Sequence, residues 1–243
     1  MEEKKLQQAF VMQNDISILC TRPLNDELVK EAKAAGIAID ILSFIETSPV
    51  QTKSVQQEIE QALLLSATVV FTSMNAVEAV AAWHRGQQPN WNTYCIGTTT
   101  NKLVEKYFGE KHIAGTANSA TELAELIAAD RFIDNVIFFC GDQRRDELPA
   151  ILEQNNIGVN EIVVYQTTAV SHPVDKSYHG ILFFSPSAVT SFFSINQLPS
   201  QTILFAIGNT TAATIKQFSN NKIITSDFPG KENLVQKMIN YFT

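Results

Sequence analysis

An internal duplication is the feature of this sequence that most restricts its fold. The segment YCIGTTTNKLVE begins at Tyr94, and its near twin FAIGNTTAATIK begins at Phe205. The repeat extends further, because VVFTSMNAVEAVAAW, which begins at Val69, is similar to ILFFSPSAVTSFFSI, which begins at Ile181. Self-similarity over such a length indicates that one supersecondary unit is used twice.

A second unit is also present twice, over Ile16–Thr47 and Asn135–Thr167, so the chain has the order A–B–A′–B′. Each unit alternates short β-branched or aromatic runs with helical patterns, which predicts an α/β fold with parallel sheets flanked by helices. Gly36 is placed to end the first helix, and Ser119 with Glu122 has the spacing of a capping box.

Two extended segments separate the A-type units from the B-type units. They are DILSFIETSP, residues 40–49, and VVYQTTAV, residues 163–170. Both are consistent with ordinary strands inside a domain, and equally with two connectors that run side by side between two domains. The pattern alone does not choose between these readings.

Composition and charge exclude several classes of protein. The net charge of −7 argues against a general nucleic-acid binder, and no segment approaches the roughly 18 apolar residues of a membrane span. The polar N-terminal segment does not resemble a signal peptide, so we expect a cytoplasmic protein without membrane contact. Three cysteines without CxxC spacing and four scattered histidines predict neither disulfides nor a metal site.

Polar turn residues follow nearly every predicted strand. Ligands bind at the carboxyl ends of strands in open parallel sheets, where helix N-termini present free N–H groups. Several such turns together favour a ligand with several anionic groups, although each Ser or Thr is also a common helix N-cap. The turns are Thr21-Arg22, Ser73-Met74-Asn75, Gly97-Thr98-Thr99, Gly141-Asp142, Ser185-Pro186-Ser187 and Gly208-Asn209-Thr210-Thr211.

Other sources of chemistry are weaker. The sequence has no GxGxxG, Walker or GxSxG motif. Arg144 and Arg145 are suited to meeting an anion, but charged residues at a helix start more often form a solvated face. Tyr165 either packs on its apolar side or, if the connectors bridge two domains, offers its phenol as a proton donor.

These motifs resemble the uroporphyrinogen-III synthase family over almost the full chain. The resemblance rests on CTRP, FTSMNAV, GDQRRDEL, VVYQT, FFSPSAV and AIGNTTA, in that order. It implies two similar parallel-sheet α/β domains joined by a two-stranded ladder, with the active cleft between them. Unit A would join B′ in a domain of residues 1–39 and 171–243, and B would join A′ in a domain of residues 50–162.

The resemblance also implies an activity. Family members remove water from the linear tetrapyrrole hydroxymethylbilane and close the ring with its last pyrrole inverted, as monomers, without cofactor or metal. Tyr165 matches the tyrosine proposed to assist departure of the hydroxyl. The matching substrate-binding candidates are Arg22, Ser73, Asn75, Thr99, Gly141, Asp142, Arg145, Ser185, Ser187, Gly208, Thr210 and Thr211.

The chain departs from the family pattern at two positions. Asn209 stands where the turn usually has proline, and Cys140 stands where an arginine often precedes the Gly-Asp pair. Two alternatives to a synthase therefore stay open. One is a non-catalytic two-domain module that binds a small polyanion, and the other is a family member whose activity has lapsed.

Overall fold

The computed structural model describes residues 16–228 and 230–243. The chain divides into a terminal unit, which runs up to Glu46 and from Thr168 to Thr243, and a central unit, Thr47–Thr167. In chain order the elements are β1 (Ile16–Cys20), α1 (Asp26–Ala34), β2 (Ile37–Ile41), β3 (Ile45–Pro49), α2 (Lys53–Leu64), β4 (Ser66–Phe71), α3 (Met74–Ala81), β5 (Asn90–Ile96), α4 (Thr98–Phe108), a short 3-10 helix (Glu110–His112), β6 (Ile113–Ala117), α5 (Ala120–Ala128), β7 (Asn135–Gly141), α6 (Glu147–Gln154), β8 (Gly158–Ala169), β9 (Gly180–Phe183), α7 (Pro186–Phe193), β10 (Ile203–Ala206), α8 (Asn209–Phe218), β11 (Ile223–Thr225) and α9 (Lys231–Phe242).

The sheet of the terminal unit has the strand order β11-β10-β9-β1-β2, with every pair parallel. Both of its faces are buried. Ile18 and Cys20 of β1 pack with the apolar sides of α1 and α9, whereas Leu19 packs with those of α7 and α8. Near-continuous apolar strands are typical of a parallel sheet that is covered on both faces.

The sheet of the central unit has the order β3-β8-β7-β4-β5-β6, and the pairs from β8 to β6 are parallel. Val69 and Phe71 of β4 pack with α2, α3 and α4, whereas Val70 packs with α5 and α6. The predicted α/β class with two mainly parallel sheets is confirmed.

Strands β3 and β8 contain the boundaries between the two units. Val50 N donates to Val164 O at 2.9 Å, and Val170 N donates to Phe44 O at 3.0 Å. Residue numbers therefore rise along one strand as they fall along the other, which is the antiparallel arrangement. These strands overlap the segments predicted as connectors.

The predicted helix ends are confirmed. Gly36 has φ of +78° directly after the C-cap of α1, a left-handed conformation that glycine adopts without steric cost. Ser119 Oγ accepts from Glu122 N at 3.2 Å, as in a capping box, and the Glu122 carboxylate accepts at 3.0 Å from the N–H of Asn118, the residue before the N-cap.

Candidate active site

Four of the predicted site residues meet in the central unit. Tyr165 lies in β8, Gly141 ends the neighbouring β7, and Ser73 and Asn75 follow β4 on the other side of β7. Because β4, β7 and β8 are parallel, the carboxyl ends of β4 and β7 and this part of β8 lie along the same edge of the sheet. Ligand sites in α/β sheets are built at that edge.

The ring of Tyr165 lies directly over Gly141. A Cβ atom at position 141 would come within 2.4 Å of Tyr165 Cζ and 2.8 Å of its hydroxyl oxygen. The β7–β8 register shifts between Cys140 and Gly141, so Gly141 pairs with Tyr165. Such an irregularity redirects a side chain, and here it sets the direction of the phenol. The predicted contact of Gly141 with a ligand stays a prediction, since its observed role is to leave room for the ring.

Asp142 holds the backbone of β8 at Tyr165 and two residues beyond it. Its N–H donates to Tyr165 O at 3.1 Å, and its carboxylate accepts from Thr167 N at 2.9 Å. In the structure, Asp142 therefore anchors the strand that carries Tyr165. Its predicted contact with substrate stays a prediction.

Ser73 connects the phenol to the start of α3. Its Oγ accepts from Asn75 N at 3.2 Å, which caps the helix, and its side chain also hydrogen-bonds the phenol of Tyr165. Burial is the main cause that raises the pKa of Tyr165, and negative charge on Cys140 or Asp142 raises it as well. The hydrogen bond with Ser73 lowers this pKa in part. The phenol therefore stays protonated at neutral pH, which is the state of a proton donor.

A cavity of about 110 Å³ opens beside Tyr165 within the central unit. Two features of its lining were missed by the sequence analysis. Glu78 lies one helical turn after Asn75, a spacing that marks a shared face of α3, and Ser48 accepts a hydrogen bond from Gln166 Nε2 at 3.4 Å across β3 and β8. The lining residues are Thr47, Ser48, Pro49, Asn75, Glu78, Ala79 and Tyr165.

The two Gly-x-Thr-Thr turns begin α4 and α8 without a side-chain cap. Their first N–H groups are therefore open to an anion. Beside the first turn lies a cavity of about 170 Å³, lined by Gly97, Thr98, Asn101, Thr116, Ala117 and Asn118. Thr99, predicted as a contact, lies exposed in the first turn of α4 and does not line that cavity.

Apart from Arg145, the remaining predicted residues lie at the carboxyl ends of neighbouring strands in the terminal unit. Arg22 follows β1, Ser185 and Ser187 follow β9, and Gly208 begins the turn after β10. Ser185 Oγ caps α7 by accepting from Ala188 N at 3.1 Å.

The two threonines of the second turn differ in exposure. Thr210 is exposed, whereas Thr211 is only 2% exposed. Of this pair, Thr210 is therefore the one whose side chain is accessible to a ligand.

The family model described as uroporphyrinogen-III synthase HemD matches residues 26–236. The chain belongs to the uroporphyrinogen-III synthase family. Members of this family are cyclising lyases of tetrapyrrole biosynthesis, and this assignment favours an enzyme over a non-catalytic binding module.

Two solved structures from this family share the fold. Uroporphyrinogen-III synthetase from Helicobacter pylori superposes with a TM-score of 0.65 at 16% identity, over 93% of this chain and 99% of that one. A mutant uroporphyrinogen III synthase from Thermus thermophilus gives a TM-score of 0.64 at 10% identity, over 93% and 98%.

In this family member the two arginines after β7 have different surroundings. Arg144 pairs with Glu161 at 2.6 Å and with Asp146, and hydrogen bonds to these carboxylates raise the pKa of its guanidinium. Arg145 is exposed and, within the described residues, has no ion-pair partner. Of the two, Arg145 is the one free to meet an anion.

The cysteines, His84 and His112 pack in or against the cores, whereas His179 is exposed and its Nδ1 accepts from Ser17 N at 3.1 Å. Cys20, Cys95 and Cys140 are buried free thiols. The ring of His84 packs edge-on against Phe108 with centroids 5.3 Å apart, and His112 is 8% exposed. Across residues 16–228 and 230–243, no three His, Cys, Asp or Glu residues are grouped as metal ligands, and no helix is both long and apolar enough to cross a bilayer.

Proposed function

We propose that this chain converts hydroxymethylbilane to uroporphyrinogen III, losing water and inverting the last pyrrole ring. We further propose that it acts as a cytoplasmic monomer without a cofactor. One observation carries the proposal: in a member of this family, a phenol held in its protonated form borders a cavity at the carboxyl edge of a parallel sheet.

The proposed first step is departure of the substrate hydroxyl. The pyrrole nitrogen supplies electrons as the C–O bond breaks, and Tyr165 gives its phenolic proton to the leaving oxygen, so that water departs. Loss of the pyrrole N–H proton then leaves a neutral azafulvene. Ser73 stabilises the phenolate by donating an O–H hydrogen bond to it, the interaction that lowers the pKa of Tyr165.

The proposed second role of the protein is to select the carbon that is attacked. The activated chain closes spontaneously to the wrong isomer, so the enzyme must hold the last ring in one orientation while the new C–C bond forms. Each unit offers groups that suit a carboxylate. In the central unit these are the open N–H groups of α4 and Arg145, and in the terminal unit they are the open N–H groups of α8 with Ser185, Thr210 and Arg22.

The activity is tested by giving purified protein freshly prepared hydroxymethylbilane and resolving the oxidised porphyrins by isomer. We expect the type III isomer to predominate. Formation of only the spontaneous type I isomer by folded protein would overturn the proposal and favour a binding module.

The role of Tyr165 is tested with Tyr165→Phe, which removes only the hydroxyl. We expect kcat to fall about 100-fold, at the lower end for loss of a general acid, with KM nearly unchanged. Tyr107→Phe is the matched control, because Tyr107 is a half-buried tyrosine of the same unit outside the cavity. Equal turnover of both variants would remove Tyr165 from the mechanism.

A further inference from the structure

Two cations are held together in the terminal unit. Arg22 follows β1, and Lys231 is the first residue of α9. Lys231 Nζ donates to the carbonyl oxygen of Pro23 at 3.1 Å, which fixes the ammonium group beside the turn that carries Arg22. Arg22 and Lys231 are both half-buried.

Keeping these like charges together has an electrostatic cost. Burial lowers the pKa of Lys231, and the positive charge of Arg22 lowers it further. Among the described residues neither cation forms a salt bridge: Asp227, near the start of the same helix, is paired with Lys237 at 2.6 Å, and Glu232 acts on Lys231 only at longer range.

The adjacent thiol does not supply the missing negative charge. Burial raises the pKa of Cys20 to about 12, so the thiol is neutral at physiological pH. Apart from the longer-range effect of Glu232, the positive charge of the pair is therefore not neutralised within the described residues, although the whole chain carries −7. A bound anion would remove this repulsion.

The pair also lies at the carboxyl edge of the terminal unit's own sheet, the edge at which ligands bind in α/β folds. Arg22 follows β1, and Ser185 follows β9, the strand that pairs with β1. Lys231 keeps two of its three N–H donors after bonding Pro23, and Arg22 presents a planar fork that matches a carboxylate.

We propose that Lys231 and Arg22 bind one carboxylate of the tetrapyrrole substrate as a two-cation subsite, with Lys231 as a substrate-binding residue. This inference rests on the proposed function. The Nζ–Pro23 hydrogen bond holds the ammonium in place, so little side-chain entropy is lost when the carboxylate binds.

The test compares Lys231→Gln with Lys231→Arg and the control Lys237→Gln. Lys237 lies on the same helix, but its charge is already neutralised by Asp227. We expect Lys231→Gln to raise KM roughly tenfold with little change in kcat, because a hydrogen bond to a charged group is lost. Lys231→Arg keeps the charge and should retain most of the affinity, and Lys237→Gln should match the wild type.

A binding measurement separates this inference from the proposed activity. Fluorescence titration with uroporphyrin III, a polycarboxylate, should show the same roughly tenfold loss of affinity in Lys231→Gln. Wild-type protein that makes no type III isomer would refute the proposed function. Active wild type with unchanged KM and affinity in Lys231→Gln would refute the subsite alone.

A double-mutant cycle with Arg22→Gln tests whether the two cations share one carboxylate. Non-additive losses in the double variant are expected if they do, and fully additive losses would show separate partners and overturn the shared subsite. If Lys231→Gln does not fold, the cycle is run with Lys231→Met, which keeps the aliphatic stem. Melting curves of every variant establish that folded protein is compared.

Discussion

At the residue scale, the phenol of Tyr165 fills the space in which a side chain at position 141 would lie. The direction of the phenol therefore depends on a neighbour without a Cβ atom, on a register shift and on the carboxylate of Asp142. The motif order made Tyr165 a candidate, but this support involves two strands whose register the sequence does not specify.

Gly141→Ala should displace the ring of Tyr165. The new methyl group overlaps Cζ, so we expect a loss of about 1–3 kcal/mol in unfolding free energy, typical of overpacking, together with a fall of kcat toward that of Tyr165→Phe. Urea unfolding and the isomer assay measure the two effects. Gly158→Ala, in the neighbouring strand β8, is the control because its Cβ would make only ordinary contacts. If Gly141→Ala matches that control, the ring is not constrained as described.

At the scale of elements, the helices that follow strands at the carboxyl edges of the two sheets begin in two ways. Ser73 and Ser185 cap α3 and α7 with their side chains, whereas α4 and α8 begin at Gly97 and Gly208 without such a cap. The sequence left capping and ligand binding open as alternatives for these turns. The serines do act as caps, and the glycine turns leave N–H groups available.

Asn209→Asp, in the first turn of α8, should raise the stability of the protein and weaken its binding of substrate. A carboxylate in the first helical turn interacts favourably with the helix dipole by about 0.3–1 kcal/mol, so thermal melting should shift upward by about 1–4 °C. The same charge repels a substrate carboxylate, so we expect a several-fold rise in KM. Asn209→Ser lacks the charge and should show neither change. A stabilised Asn209→Asp variant with wild-type KM would argue that substrate does not reach this turn.

Several elements could be predicted because their signals are local. The glycine after α1 and the Ser119–Glu122 pair at the start of α5 follow from spacing along the chain. Glu78 and Lys231 were missed because the residues near them in space are distant in sequence. Glu78 lines a cavity with Tyr165, and Lys231 lies near Arg22. Such contacts depend on the tertiary packing inside each unit.

At the scale of the whole molecule, the three buried cysteines make the free energy of unfolding depend on pH in the alkaline range. Burial raises the pKa of Cys20 to about 12 and the pKa values of Cys95 and Cys140 to about 11, from an ordinary value of 9.0. Below pH 9 the thiols are protonated in both the folded and the unfolded chain, so they do not favour unfolding.

Above pH 9 the unfolded chain loses these protons first, and stability should fall until the folded thiols ionise near pH 11–12. Each thiol that is ionised only in the unfolded chain lowers the unfolding free energy by about 1.4 kcal/mol per pH unit. Urea unfolding at intervals from pH 8 to pH 11 measures this slope. Cys95→Ala removes one thiol and should make the slope shallower, whatever its effect on absolute stability. An identical slope in that variant would show that Cys95 ionises alike in both states and that its burial does not govern alkaline unfolding.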